Sequence, residues 1–214
     1  QAVDDLAIAI TRPAGPLAVV AAGADWLYLD DGSNQGTDWR APGFADSGWK
    51  KGRALFGYGD GDEITGVNYG PDSSSKYVTT YFRKRFTIAD AASIQNVTLR
   101  ILRDDGVAIH LNGTEVARDN LPEGTLNYRS LASDAIGGAD ERTFIERVVD
   151  PAHLRNHENV IAVELHQNAG TSSDLAFDLA LEIQAFPANQ PPTVSAGADR
   201  KVALSEVALL AGSF

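Results

Sequence analysis

The chain has 214 residues, neither cysteine nor methionine, and a formal net charge of -11 at pH 7. Its length suffices for one sizeable core without covalent staples, and the acidic balance works against phosphate backbones and anionic lipid surfaces, so neither nucleic acid nor a membrane is an expected partner. No apolar run approaches the ~20 residues of a bilayer-spanning helix, and the lack of cysteine excludes a thiol nucleophile, a disulfide framework and a thiolate metal site.

Residues 1–23 carry one alternation, Leu6, Ile8 and Ile10, interrupted by Pro13 and Pro16, and the segment 1–19 reads as an edge strand or the tail of a preceding module. Trp26 and Tyr28 alternate with Leu27 and Leu29, the two-residue period of a half-buried strand. From Asp30 to Gly61 the chain is rich in Gly, Asp and Ser, a long N-terminal loop that Trp39, Phe44 and Trp49 are expected to pin onto the fold. A second irregular stretch, Gly57 to Ser75, holds Gly-Tyr-Gly-Asp-Gly-Asp-Glu. A strand over 80–88 then places Phe82, Phe86 and Ile88 on one side and Tyr81, Arg83 and Arg85 on the other; Lys84 breaks the pattern, which predicts a bulge.

Ala89 to Ser93 reads as a short helical turn. Val97, Leu99 and Ile101, and then Val107, Ile109 and Leu111, alternate with polar or small residues on either side of Asp104-Asp105-Gly106. Asn112-Gly113 supplies the positive backbone angles of a tight hairpin, and the whole stretch predicts a β-meander. Residues 119–142 are polar with a short strand expected at 127–131. A strand around 144–148 follows, then Asp150-Pro151 as a loop or single helical turn, and two further strands carry Ile161, Val163, Leu165 and Phe177, Leu179, Leu181, Ile183. Residues 187–193 form a proline-rich linker, and 194–214 resume a strand-like pattern too short for a domain of its own. The fold class that follows is all-β, an antiparallel β-sandwich with long N-terminal loops and with Leu99, Ile109, Val163 and Leu179 in its interior.

Trp26-Leu-Tyr-Leu-Asp-Asp-Gly, Phe44-Ala-Asp-Ser-Gly-Trp49, Tyr81-Phe-Arg-Lys-Arg-Phe86, Asp104-Asp-Gly-Val-Ala-Ile-His-Leu-Asn-Gly113 and Glu158-Asn-Val-Ile-Ala-Val-Glu-Leu-His166 occur in that order. Together they resemble the galactose-binding-like jelly roll, in particular the sugar-binding domain at the front of family 2 glycoside hydrolases, over roughly residues 20–186. Asn189-Gln-Pro-Pro-Thr-Val-Ser-Ala-Gly-Ala-Asp199 resembles the opening of a PKD-type immunoglobulin-like repeat. The resemblances imply a non-catalytic carbohydrate-binding module of a secreted, bacterial, multimodular polysaccharide-active protein, or else a spacer that braces an adjacent catalytic module without binding glycan. A chain that begins at Gln1 reads as a processed or excised piece whose export signal is gone. Gly-x-Ser-x-Gly, His-Glu-x-x-His and Walker-type motifs are missing; a pair of glycosidase carboxylates has no sequence signature and stays open.

Sugar recognition needs an aromatic face and a few fixed polar groups. Tyr58, Tyr69 and Tyr77 flank the glycine-rich loop and either supply that face or anchor the loop to the sheet. Tyr81, Arg83, Arg85 and Arg100 read as an outward cationic strip suited to an acidic polysaccharide or oligosaccharide, or as arginines paired across strands with acids such as Glu164 or Glu182. His110 and His166 fall on outward strand positions and are expected at the surface. The resemblance also implies calcium: jelly rolls of this group often carry a structural ion, and consecutive Asp residues in a comparable loop hold a sugar-bridging calcium in some adhesins of the anthrax protective-antigen type. Asp104 and Asp105 are therefore candidate ligands, and Asp60 and Asp62, with Glu63 beside them, form another oxygen-rich group; Asp-Gly turns explain the same residues without a metal.

Overall fold

Alternating apolar side chains from both halves of the chain meet in one interior, and two sheets close over it. The computed structural model describes residues 15–186; the Leu6–Ile10 alternation, the proline-rich linker and the fragment resembling a PKD-type repeat lie outside the described residues. One sheet runs in the order β10 (Ile145–Val149), β7 (Ile94–Asp104), β12 (Leu175–Ala185), β4 (Phe56–Tyr58) and β5 (Thr65–Gly66), with β1 (Leu17–Val20) also paired to β12. The other runs β3 (Lys50–Arg53), β2 (Asp25–Leu29), β6 (Thr79–Ile88), β11 (His157–His166), β8 (Gly106–Leu111) and β9 (Thr114–Asp119). The pairings are antiparallel except that between β4 and β5. No helix among the described residues is long and apolar enough to cross a membrane.

Leu99, Ile109, Val163 and Leu179 are all buried, as their alternation requires. The centre of the core is aromatic: Phe82 on β6 stacks on Phe177 on β12 with centroids 4.2 Å apart, and Phe56 and Trp26 meet the same pair edge-on. At one end Asp119 on β9 accepts from Arg103 on β7 at 2.7 Å and also from Arg147 on β10, tying the sheets together.

Four local expectations change. β7 and β8 do not form a hairpin: they lie in different sheets, and Asp105 is the corner between them. A sheet-to-sheet corner keeps both strands' apolar residues inward just as a hairpin does, so periodicity alone cannot separate the two. The β8–β9 hairpin is as expected, with Asn112 and Gly113 at φ 54° and 94°. Lys84 needs no bulge, because the β6–β11 ladder runs through it unbroken; its ammonium reaches the Asp25 carbonyl at 2.7 Å and leaves only the stem against the core. Residues 127–131 form a turn rather than a strand, and the glycine-rich stretch contains the short strand β4.

Two long loops cover the outer face of the second sheet. Trp39, with Phe44 and Trp49 beside it, packs over Tyr81 and Ala162, and Leu121, Leu126 and Ala132 pack over Ala108. The first loop thus does what its aromatics predict. Truncating Phe82 to Ala should cost about 3–5 kcal/mol in urea unfolding, whereas Val148→Ala, at an exposed position on β10, should change stability by under about 0.5 kcal/mol.

Candidate functional site

The loop cover overturns the expected cationic strip. Tyr81 is 3% and Arg83 1% exposed. Arg83 donates to Asp46 at 2.9 Å, to the Trp39 carbonyl and to the Ala41 carbonyl at 3.2 Å, with its guanidinium 5.3 Å from the Phe44 ring centre. Arg85 shares Asp46 at 3.3 Å and reaches Glu158 at 2.9 Å at the rim. These two arginines staple the loop to β6. Arg100 lies on β7 in the other sheet, 3.6 Å from Glu182 and 3.9 Å from Glu146, so the four residues share no face.

The same cover buries His110 and His166, which alternation alone placed at the surface. Glu164, between them in space, accepts from Arg40 at 2.8 Å and lies 3.4 Å from His166 Nε2. Burial, then the Arg40 charge, pushes His110 down to about pKa 4, and neither ring nitrogen has a hydrogen-bond partner. The group is a neutral, structural imidazole edge-on to Trp39 at 5.8 Å.

What stays open to solvent is the end of the first sheet where β4, β7 and β12 meet. Tyr58 pairs with Leu175 and Asp104 with Ala176, so register alone brings the end of β4, the end of β7 and the start of β12 side by side. Gly59 permits the closeness: with φ 108°, a side chain there would put its Cβ 2.7 Å from the Ser173 carbonyl oxygen. Tyr58 and Tyr69 meet edge to face at 5.1 Å, and the Lys76 ammonium sits 4.7 and 5.0 Å from their ring centres while donating to the Ser172 carbonyl. Gln167 bridges the Tyr58 hydroxyl and the Asp174 carbonyl, each at 2.9 Å. Tyr77 packs its ring against Gly32 and Gly70 and borders a groove of about 590 Å³ whose other walls include Lys76, Tyr128, Arg129 and Leu131. Arg129 is exposed and lies 5.1 Å over the Tyr128 ring.

Beside the Tyr58–Tyr69 pair is an acidic cluster. Asp60, Glu141 and Asp174 each place a carboxylate oxygen within 4.8 Å of the others. Asp104 is 1% exposed and both of its carboxylate oxygens lack a hydrogen-bond partner; burial, the adjoining Asp105 carboxylate and the charges of Asp174 and Glu141 hold it up to about pKa 8. Asp105 is differently employed, accepting from the Ile136 and Asn168 amides at 2.7 Å each, so it fastens two loops. Glu63 accepts from the Asp60 and Gly61 amides and shapes its own turn. Asp62 lies 3.8 Å from the exposed Arg142. Of the four acids named as metal candidates from the sequence, the structure brings Asp60 to the cluster, buries Asp104 opposite Ala176 and leaves Asp62 and Asp105 in these other roles. Glu141 and Asp174, distant in sequence, complete it; no spacing signal marks them. An all-oxygen set of carboxylates is the donor set that a hard cation such as calcium takes.

If Arg83 is a staple, Arg83→Ala should cost about 3–5 kcal/mol in urea unfolding, because Asp46 loses its buried partner, while Arg85→Ala at the rim should cost under about 1 kcal/mol. His110 sets a pH dependence. Below its ordinary pKa of 6.5 the unfolded chain takes up a proton that the fold refuses until about 4, so stability should fall as the pH drops through that window, by about 3 kcal/mol in all. His110→Phe should remove this component from the pH profile of the urea midpoint; an unchanged profile would contradict the buried neutral imidazole.

No protein-family model matches this chain, and no curated protein matches it. Among solved structures it is similar to a Bacteroides uniformis β-glucuronidase, with 14% identity, TM-score 0.50, and coverage of 75% of this chain and 17% of the enzyme. The Bacteroides uniformis β-glucuronidase 2 covalently bound to cyclophellitol-6-carboxylate aziridine gives 15%, 0.49, 75% and 17% in the same order, and a family 2 glycosyl hydrolase from Bacteroides cellulosilyticus gives 16%, 0.49, 75% and 20%. The chain therefore spans a fifth or less of the length of these enzymes, and at such identities the likeness is one of fold.

Proposed function

We propose that this chain is a non-catalytic carbohydrate-binding accessory module of a secreted, multimodular polysaccharide-active protein, with a structural calcium at its open end. The observation that carries the reading is the groove bordered by Tyr77, Tyr128, Arg129 and Leu131. It combines ring surface for the apolar side of a sugar with an exposed guanidinium already stacked on an aromatic ring. The sandwich it stands on is similar in fold to part of a β-glucuronidase, and an exposed guanidinium such as that of Arg129 would pair with a sugar carboxylate in two-pronged fashion. The resemblance to the sugar-binding domain of family 2 glycoside hydrolases supports the same reading, as does the resemblance to a PKD-type spacer for attachment to further modules.

A second reading is favoured by the packing of the sequence-nominated aromatics: Tyr81 is buried and Tyr58 and Tyr77 hold loops in place, as in a spacer that braces a neighbouring catalytic module and binds no glycan. A polysaccharide pull-down and glycan array separate the two. The binding reading expects retention on an acidic polymer, weakened by about ten-fold or more in Tyr128→Ala and Arg129→Ala, with the melting temperature unchanged in Arg129→Ala, whose side chain is exposed; retention by no polymer would leave the spacer.

A further inference from the structure

We infer that the cleft between β2 and β6 is a binding site for a small oxyanion, a carboxylate or a sulfate, with the Lys84 ammonium as its direct partner. The cleft exists because the sheet splits there. β2 stays paired with β3 until Asp25 lies opposite Arg53, and β6 stays paired with β11 until Ile88 lies opposite His157. Between β2 and β6 themselves the pairing covers only Leu29 opposite Tyr81, Tyr28 opposite Phe82 and Leu27 opposite Arg83. Asp25 and Trp26 therefore part from Lys84 and Arg85, and a cavity of about 350 Å³ lies between them, with Asp46 and Lys51 also on its wall. That volume is at the small end of the roughly 300–1,000 Å³ of ligand cavities, which suits one anion or one acidic sugar better than a length of polymer.

The charges on the wall do not balance. Asp25 is held by Lys51 at 3.0 Å. Asp46 is held by Arg83 at 2.9 Å and by Arg85 at 3.3 Å, and Arg85 also reaches Glu158 at 2.9 Å. Lys84 is the cation left over: among the described residues it pairs with no carboxylate, and its ammonium donates to the neutral Asp25 carbonyl. It alternates with the core residues Phe82 and Phe86, where the pattern calls for an apolar side chain and a charge carries a desolvation cost. Burial pushes its pKa down; the Asp25 charge opposes this and the Lys51 charge adds to it. The other group left over is also a donor, since the indole N–H of Trp26, 1% exposed, has no partner, and no buried side-chain acceptor on this wall is unpartnered. A surplus cation with a spare donor and no spare acceptor favours an anion over a metal ion or an amine, and an ammonium, as a point charge, takes carboxylate and sulfate alike. The cleft shares no wall residue with the groove of Tyr77 and Arg129, so the inference is independent of the glycan reading.

The test is NMR titration of the full 214-residue chain, carrying isotope-labelled lysine, with sodium sulfate, with glucuronate and with glucose as the neutral control. Ionic strength is kept low because salt screens such contacts. The Lys84 side-chain signals, assigned by their loss in Lys84→Met, should move saturably with the anions and stay in place with glucose. A response to either anion supports the site: sulfate alone would assign it to free inorganic anions, glucuronate to an acidic sugar. Binding followed by calorimetry should weaken by about ten-fold or more in Lys84→Met, which keeps the apolar stem and should melt at or above the wild-type temperature because an unpaired, half-buried charge is gone. Arg100→Ala, on the other sheet, should leave the affinity within about three-fold. The site is overturned if no signal saturates up to about 50 mM of either anion, where an affinity of about 5 mM would be nearly filled, if glucose moves the same signals, or if Lys84→Met binds as the wild type does.

Discussion

The antiparallel register of β7 against β12 is the constraint on which the rest of the molecule depends. It runs from the Asp104–Ala176 pair to the far ends of both strands with one irregularity, near Gln184. That long ladder puts Leu99, Ile101, Leu179 and Leu181 into the same interior and, at its other end, sets Asp104 opposite Ala176, two residues from Asp174. A shift of one residue would turn every apolar side chain of β12 to the outside, and it would carry Asp104 away from its acidic neighbours. Core and candidate site are thus set by one alignment.

The two faces of the fold are used differently. The outer face of the second sheet is closed by the long loops, with Arg83, Asp46 and Trp39 as the fastening, so its polar residues, His110 and Glu164 included, serve the interior. The open end of the first sheet carries the features that burial alone does not explain: an orphaned carboxylate, converging acids, a lysine over two tyrosines and a groove edged by aromatics. Polar groups in a core exist to be satisfied internally. At this end both carboxylate oxygens of Asp104 lack a partner, and an unpartnered group that ionises carries a larger desolvation cost than a neutral imidazole or indole.

Much of the fold was legible in the chain. The alternation at Leu99, Ile109, Val163 and Leu179 placed the core, Asn112-Gly113 placed the β8–β9 hairpin, and Trp39, Phe44 and Trp49 marked a loop that packs. What periodicity cannot express is what lies over the far side of a sheet. Arg83 and His110 do face away from the core, but their alternation with Phe82 and Ile109 carries no information about the loops that cover them. The candidate site was half legible for a similar reason. Asp60 and Asp104 stand in recognisable acidic clusters, whereas Glu141 and Asp174 enter through the register and a distant turn, and Asp105 looks identical to Asp104 until its two amide donors are seen.

Crystals of the chain grown with calcium, or with terbium as its substitute, give the most direct measurement through an anomalous difference map. A single strong peak bounded by Asp60, Glu141 and Asp174, with oxygens about 2.3–2.6 Å away, is the predicted result. A map without that peak, and with the Asp104 carboxyl hydrogen-bonded to a neighbouring acid, would contradict it.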